Sequence, residues 1–568
     1  MVYQQTSSWK PSERNQEKET LLAEPLSLHP VIAHLLIRRG LASPEAARRF
    51  LYPQWDHLPD ITLLPDVEKG LARLLQAWER QENILFYGDY DVDGITGTAQ
   101  WVSFFREIGL PVDFFLPHRL NDGYGLNRKS LETLLAKKKP DLLVTIDNGT
   151  NAYEELCYLA EQKIDVIVID HHEAPKKLPP VTALLNPKRS DSQFPDPVAS
   201  AGLVFLLLIA FRKKLRERGV SPLPNLKRYL DLACLGTIAD IVPLTNTNRL
   251  LVKEGLKEIE RSERPGIRAL LAQSQSRPPI GVGTVSFRLA PRINAAGRLS
   301  DPQIALKLLL SENEEAATCL ASELDSLNRR RQQIEEEVLQ EAVIIIEREQ
   351  KQNPGIVVAS EKWHLGVVGI VAAKLVERYG RPAIVLSLQD GIGKGSGRTV
   401  PGISLYKTLN DLRDCFIGFG GHDAACGLTL DREKVSEFRS RFNERLRGEP
   451  LASNKIRILD ALVPFCEISP LFVKQLQLLE PFGPSNPSPL LGSCSVRFHD
   501  CRIVGQKHLK AKVIQEGTAL EAIAFDQGDF LPKISSGNPV TIIHTPQIQC
   551  WNGIETLQLN IKEISLTN

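Results

Sequence analysis

Three apolar runs in this chain end directly in acidic or histidine residues: ILFYGDYDVDG (84–94), LLVTIDNG (142–149) and DVIVIDHH (165–172). Continuous apolar runs of this length fit strands buried on both faces, the pattern of a parallel sheet covered by helices. In such a sheet, ligands bind beyond the carboxyl ends of the strands. Asp89, Asp91, Asp93, Asp147, Asp170, His171 and His172 all fall at those ends, and the pattern predicts that they converge in one crevice.

The surrounding rhythm extends the argument. Strand 84–87, a helix from about 96 to 108, strand 112–116, helix 128–138, strand 142–146, helix 152–162 and strand 166–169 alternate as in a three-layer α/β domain, taken as 56–310. Residues 311–350 contain neither Gly nor Pro, and Leu320, Leu324, Leu327, Ile334 and Val338 keep helical spacing, interrupted at Arg331. This predicts one long helix (311–352) bridging two domains. After Pro354 the α/β pattern resumes in GIVVAS (355–360), a helix at 366–379, AIVLS (383–387) and a Gly-rich turn at 391–397, giving a smaller domain at 353–450. The strand-like runs of 453–568, with a single helical segment at 468–480, predict a β-barrel of the OB type. Residues 1–55 read as an N-terminal cap, polar at first and then helical in HPVIAHLLIRRG and SPEAARRFL.

Composition narrows the function. With 69 basic and 68 acidic residues in 568, the chain has no strong polyanion-attracting field, so nucleic-acid binding must come from local patches. Its nine cysteines are scattered with no C-x-x-C pair, against a zinc module or a disulfide framework and in favour of a reducing compartment. The first residues show no signal-peptide core, and no apolar stretch reaches the ~18 residues of a membrane span. A cytoplasmic protein with no membrane partner is expected.

Clustered carboxylates suit two divalent cations held about 3.5–4 Å apart, the arrangement that activates water and stabilises both oxygens of a phosphodiester under attack. The Asp89-x-Asp91-x-Asp93 alternation lacks the terminal Glu of a calcium loop. Taken singly, each segment also fits turn chemistry, with Asp and Gly supplying caps and positive φ. Their joint occurrence after three strands favours a site. Asp240 closes an apolar helix-like segment in LDLACLGTIADIVPLTNTNR (230–249), where a cap or turn is the simpler alternative. Arg119 follows a strand in LPHRLNDGYGL (116–126), and RLAPRINAAGRLSDP (288–302), read as non-core, presents Arg292, Asn294 and Arg298. DGIGKGSGRTVPGIS (390–404) and GFGGHDAACGLTL (418–430) are Gly-rich, and their backbone amides could cradle phosphates or simply make tight turns. In the barrel, Lys507, His508, Lys510 and Lys512 form a basic stretch, while Phe482, Phe525 and Trp551 offer stacking surfaces or barrel core.

The set GDYDVDG, TIDNG, IDHH and GTIADIVPL resembles the four motifs of the DHH phosphoesterase family, and within it the RecJ branch of single-stranded-DNA exonucleases, over roughly residues 60–560. The resemblance implies metal ligation by Asp91, Asp93, Asp147, His171 and Asp240, support from Asp89 and Asp170, and a phosphate contact by His172. It further implies substrate contacts by Arg119, Arg292, Asn294 and Arg298, and by Ser396, Arg398 and His422 in a DHH-associated domain. Tyr87 departs from the histidine of many relatives, which bears on how well both metals are held. Oxygen ligands favour magnesium and imidazole suits manganese, so two Mn2+ or Mg2+ ions are expected. The implied activity is 5′→3′ hydrolysis of single-stranded DNA in repair and recombination, by a monomer that works with single-stranded-DNA-binding protein and a helicase. Two other readings compete: a DHH enzyme for short oligonucleotides, cyclic dinucleotides or pyrophosphate, and a catalytically silent replication scaffold. The added barrel and bridging helix count against the first, and the complete acidic set against the second.

Overall fold

A computed structural model describes residues 9–119, 123, 125–449, 457–534, 537–551 and 554–565, without the side chains of 550, 551 and 554. It divides into two compact units, one of 61–240 with 255–454, the other of 1–60, 241–254 and 455–568. No single helix among the described residues is long and apolar enough to cross a membrane.

In the larger unit, helix α1 (Val67–Glu79) leads into β1 (Ile84–Gly88), α2 (Val92–Glu107), β2 (Asp113–Phe115), α3 (Arg128–Lys137), β3 (Leu142–Ile146), α4 (Tyr153–Glu161), β4 (Asp165–Ile169) and β5 (Ala183–Leu185). The five strands form one parallel sheet in the order β2-β1-β3-β4-β5. Leu85, Tyr87, Leu143, Val166 and Val168 pack against Leu131 of α3 and Leu156 and Leu159 of α4. On the opposite face Phe86 stacks on Trp101 of α2 at 6.1 Å, and Trp101 meets Phe211 of α5 (Ser200–Glu217) at 5.8 Å. Both faces are covered, which is why the strands read as unbroken apolar runs.

Helix α2 begins at Val92, about a turn earlier than the sequence pattern predicts, because the Asp91 side chain caps it by accepting from the amides of Asp93 (2.9 Å) and Gly94 (3.2 Å). Asp93 therefore sits in the first helical turn. Residues 288–302 do contribute to the core: they form α7 (Ala290–Leu299), with Ile293, Ala295, Ala296 and Gly297 buried.

The bridging helix α8 runs Glu314–Glu349. Arg331 does not interrupt its buried face. Asp325, Asn328, Arg331 and Glu335 recur every three or four residues as a polar stretch between Leu324 and Val338. Beyond it come β6 (Ile356–Ser360), α9 (Val368–Tyr379), β7 (Ala383–Gln389), β8 (Ile392–Arg398), β9 (Gly418–His422), β10 (Ala425–Asp431) and α10 (Val435–Arg445). The sheet order is β9-β10-β8-β7-β6, antiparallel except between β6 and β7. Here parts of both Gly-rich segments form strands, β8 from the first and β9 and β10 from the second. The amides of β8 enter ladders on both sides, and glycine there serves close packing: a Cβ on Gly395 would lie 2.1 Å from the Val385 carbonyl oxygen.

In the smaller unit, α11 (Pro470–Gln477) precedes β11 (Leu491–Val504), β12 (His508–Gln515), β13 (Thr518–Ala524), β14 (Val540–Trp551) and β15 (Ile554–Ser565). The order β11-β12-β13-β15-β14 is closed by pairing of β14 with β11, the closed barrel of an OB-type fold. Leu22, Val31, Ile32, Leu35, Leu36 and Leu51 of the N-terminal helices share a core with Val496, Val513, Ile542 and Ile561. The N-terminal helices thus share the core of this unit.

Candidate metal and phosphate site

The carboxyl ends of β1, β3 and β4 deliver the predicted groups to one place, and the end of α6 (Leu230–Ala239) adds Asp240 as its C-cap. Ligand atoms fall into overlapping sets, each with its atoms within 4.8 Å of one another: Asp89, Asp91 and Asp147; Asp93, His171 and Asp240; and Asp147, His171 and His172. Nε2 of His171 lies 3.3 Å from Asp147, 3.4 Å from Asp240 and 3.9 Å from Asp93. Asp147 and His171 are each common to two sets, as bridging or adjacent ligands of two ions would be.

Local geometry holds these groups fixed. Asp147 sits at φ +65°, a left-handed conformation that Asp tolerates better than most residues, directly before Asn148-Gly149. Its Oδ1 accepts from the Ser200 hydroxyl at 3.0 Å, and Asp93 accepts the opening amides of α5, Ser200 N at 2.7 Å and Ala201 N at 2.8 Å. Asp170 turns away from the ion sets and receives the amides of His171 and Thr150 together with Nδ1 of His172 at 2.7 Å. Ser200, Ala201 and Thr150 were not picked out from sequence. The one signal for Ser200 and Ala201 is the small-residue run ASAG opening an apolar helix, and Thr150 directly follows the Asp147-Asn148-Gly149 turn.

Electrostatics follows from burial of like charges. Burial, then the Asp91 charge, raises Asp93 to about 7, and burial with Asp93 and Asp91 raises Asp240 to about 8. Asp89 and Asp147 are pushed well up, by burial first and by neighbouring carboxylates second. Burial and His172 lower His171 to about 4. Burial alone would lower His172, but the bond from Asp170 outweighs it and carries the imidazole to about 9, a cation at neutral pH. A crowd of buried carboxylates around a neutral imidazole is unfavourable on its own, and divalent cations resolve it. Among the described residues the buried Oδ1 of Asp89, Oδ1 of Asn148 and Nε2 of His171 have no hydrogen-bond partner, a further sign that this donor set fits metal ions. Oxygen donors with one or two imidazoles suit manganese or magnesium. Tyr87 is absent from these sets: buried in the sheet core, it donates its hydroxyl to the Gly125 carbonyl.

Beside the carboxylates lie the arginines. Arg119 stacks over Tyr90 at 5.3 Å, and a Cβ on Gly297 would lie 2.7 Å from the Tyr90 carbonyl oxygen, so α7 reaches the same loop. Arg298 donates to the Gly366 carbonyl at 3.1 Å. Gly369, at the start of α9, brings backbone close to Ser396 Oγ (3.2 Å from a built Cβ) and Arg398 (3.5 Å), and Arg398 donates to Ser396 Oγ at 2.8 Å. Burial, then Arg119 and Arg331, lowers Arg298 to about 10, while burial and Arg119 lower Arg398. These guanidiniums sense one another and call for an anion. The other predicted residues are placed differently. Arg292 is committed to Asp325 at 2.8 Å, Asn294 is half-buried on α7, and His422 is exposed at the end of edge strand β9. Leu120, Asn121, Asp122 and Tyr124 lie outside the described residues.

In the barrel unit, His508, Lys510 and Lys512 alternate with buried Leu509, Ala511 and Val513 along β12. Exposed Phe525 meets the His508 ring edge-on at 5.2 Å, Phe482 packs on the core, and Lys507 is paired with Asp526. The Trp551 side chain lies outside the described residues.

Three family models match this chain: the DHH family N-terminal domain over residues 83–237, the DHHA1 domain over 352–448 and the RecJ OB domain over 459–563. The single-stranded-DNA-specific exonuclease RecJ of Bacillus subtilis is 35% identical over 98% of this chain and 71% of its own length. The chain belongs to the RecJ family. The Escherichia coli member is 33% identical over 97% of this chain and 98% of its own. A crystal structure of RecJ from Thermus thermophilus in complex with Mn2+ superposes with a TM-score of 0.82 at 30% identity, covering 99% of this chain and 79% of that one. The DHH, DHH-associated and OB parts expected from sequence are thus the RecJ architecture.

Proposed function

We propose that this protein is a metal-dependent exonuclease that degrades single-stranded DNA from its 5′ end. One observation carries the reading: the ion-binding sets that share Asp147 and His171 stand next to Arg119, Arg298 and Arg398, whose charges act on one another. Asp89, Asp91, Asp93, Asp147, His171 and Asp240 would hold two Mn2+ or Mg2+ ions, which supply an activated water at neutral pH and offset the charge on the phosphate. Asp170 keeps His172 protonated and oriented to donate to a phosphoryl oxygen. Arg119, Arg298 and Arg398 with Ser396 would take the terminal 5′-phosphate, the guanidinium fork matching phosphate geometry. Positioning that phosphate places the first phosphodiester over the ions, and this sets polarity.

The test uses 5′- and 3′-labelled single- and double-stranded DNA and RNA, with manganese, magnesium or EDTA. Ordered release from the 5′ end of single-stranded DNA, lost in EDTA, is expected; release from 3′ ends, or cleavage confined to dinucleotides, overturns the reading. A charge-assisted phosphate contact of about 1.5–3 kcal/mol gives a preference for 5′-phosphorylated over 5′-hydroxyl strands of roughly ten- to a hundredfold. Arg398→Ala should erase it. If the preference persists in full, the terminal phosphate is read elsewhere.

A further inference from the structure

A buried carboxylate in the middle of the bridging helix has no role in the ion site, yet it organises cations. Glu335 on α8 receives Arg331 Nη1 at 2.6 Å on one oxygen and Lys374 Nζ at 2.6 Å on the other. Its side chain is 6% exposed and that of Arg331 11%. One negative charge is shared between two positive ones, leaving a surplus of positive charge. Nε and Nη2 of Arg331 rest on Asn328 Oδ1 at 3.3 and 3.1 Å. These intrahelical bonds fix the plane of the guanidinium and use three of its roughly five N–H donors, the rest having no hydrogen-bond partner among the described residues.

Its position along the helix shows what the fixed guanidinium faces. Asp325, six residues before Arg331, binds Arg292 of α7, and Glu335, four residues after it, binds Lys374 of α9. Arg331 therefore lies between the ion pairs that join α8 to α7, which bears Arg298, and to α9, whose first turn abuts Ser396 and Arg398, and its charge acts on Arg298.

We propose that Arg331 is a further phosphate-binding residue of the arginine cleft and that Glu335 is the positioning residue that aims it. The proposal rests on the reading of that cleft as the strand's path. Arg331 adds a backbone phosphate contact to the terminal one, and Glu335 ties this contact to α9, so that the DHH-associated domain and the guanidinium hold one strand together. An ammonium could keep the pairing with Glu335 but not the planar fork.

The experiment compares wild type, Arg331→Gln, Arg331→Lys, Glu335→Gln and the double variant Arg331→Gln/Glu335→Gln on a 5′-phosphorylated oligonucleotide with manganese. Arg331→Gln should raise KM roughly tenfold or more while kcat changes less than threefold. The slope of log Kd against log salt, measured with calcium replacing manganese, should fall by about 0.7 for one lost single-strand phosphate contact. Arg331→Lys should keep the slope and raise KM. Glu335→Gln should raise KM, yet add nothing when Arg331 is already Gln, because it acts through that residue. An unchanged slope in a folded Arg331→Gln protein overturns the phosphate contact. A Glu335→Gln effect that persists undiminished in the double variant overturns the positioning role. Failure of wild type to degrade single-stranded DNA would instead overturn the functional reading itself.

Discussion

At the scale of residues, the site is a set of groups that would repel one another without cations. Asp147→Asn is the sharpest test, because Asn tolerates the left-handed φ of +65° that Ala would strain, so loss of the ligand is separated from damage to the turn. Turnover should fall by more than about 100-fold, the upper range for loss of an outer partner alone, with melting temperature within a few degrees. Normal turnover would remove Asp147 from the site. The pH dependence has a definite sign. Asp93 and Asp240 have folded values of about 7 and about 8, above the 3.8 of a free Asp, so each contributes stability below the unfolded value that is lost as pH rises through the folded one. The metal-free protein should weaken from about pH 4 to about pH 8, while manganese, which binds the ionised forms, should stabilise it more at the higher pH. Thermal melts with and without manganese across that range decide it; a manganese shift that shrinks with rising pH contradicts it.

Elements place these residues by close approach. Gly297 lets α7 lie against the loop of Tyr90, and the neighbouring Arg298 reaches the Gly366 carbonyl only from there. Gly297→Ala puts a methyl 2.7 Å from a backbone oxygen, a clash that no rotamer relieves. Overpacking of this kind costs about 1–3 kcal/mol, and KM for a 5′-phosphorylated strand should rise as Arg298 moves. Unaltered KM and melting temperature would show that α7 adjusts freely. The same sensitivity explains the glycines of β8. In sequence they look like loop residues, but in the sheet Gly395 and Gly397 admit neighbouring groups that a side chain would hold off.

For the whole molecule, the shared core of the N-terminal helices and the barrel determines which truncations are informative. Removing 455–568 alone would strip Val31, Ile32, Leu35 and Leu36 of their packing partners, so that protein should aggregate or bind apolar dyes instead of behaving as a smaller nuclease. A monodisperse, stable truncation would contradict the shared core. Point changes serve better for function: Phe525→Ala should weaken binding of a long single strand by about 1–3 kcal/mol if a base stacks there, with a short oligonucleotide unaffected. Equal affinity for the long strand before and after the change would remove Phe525 from the path.

Much of this protein was legible as linear pattern. Runs such as LLVTI ending in Asp, and the Gly- and Pro-free stretch of 311–350, encode strands buried on both faces and a long helix, because burial and backbone propensity act over neighbouring residues. The acidic and histidine residues at strand ends followed from the same logic, since parallel strands bring their carboxyl ends to one edge. Three-dimensional packing decided the rest. That Tyr87 faces the core, that Arg292 is spent on Asp325 while Arg298 stays with the cleft, and that Glu335 joins Arg331 to Lys374 depend on partners 33 or more residues away or on which face of a helix meets its neighbour. Local sequence carries no record of such meetings. Charge and shape complementarity between distant segments sets them only once the chain has folded.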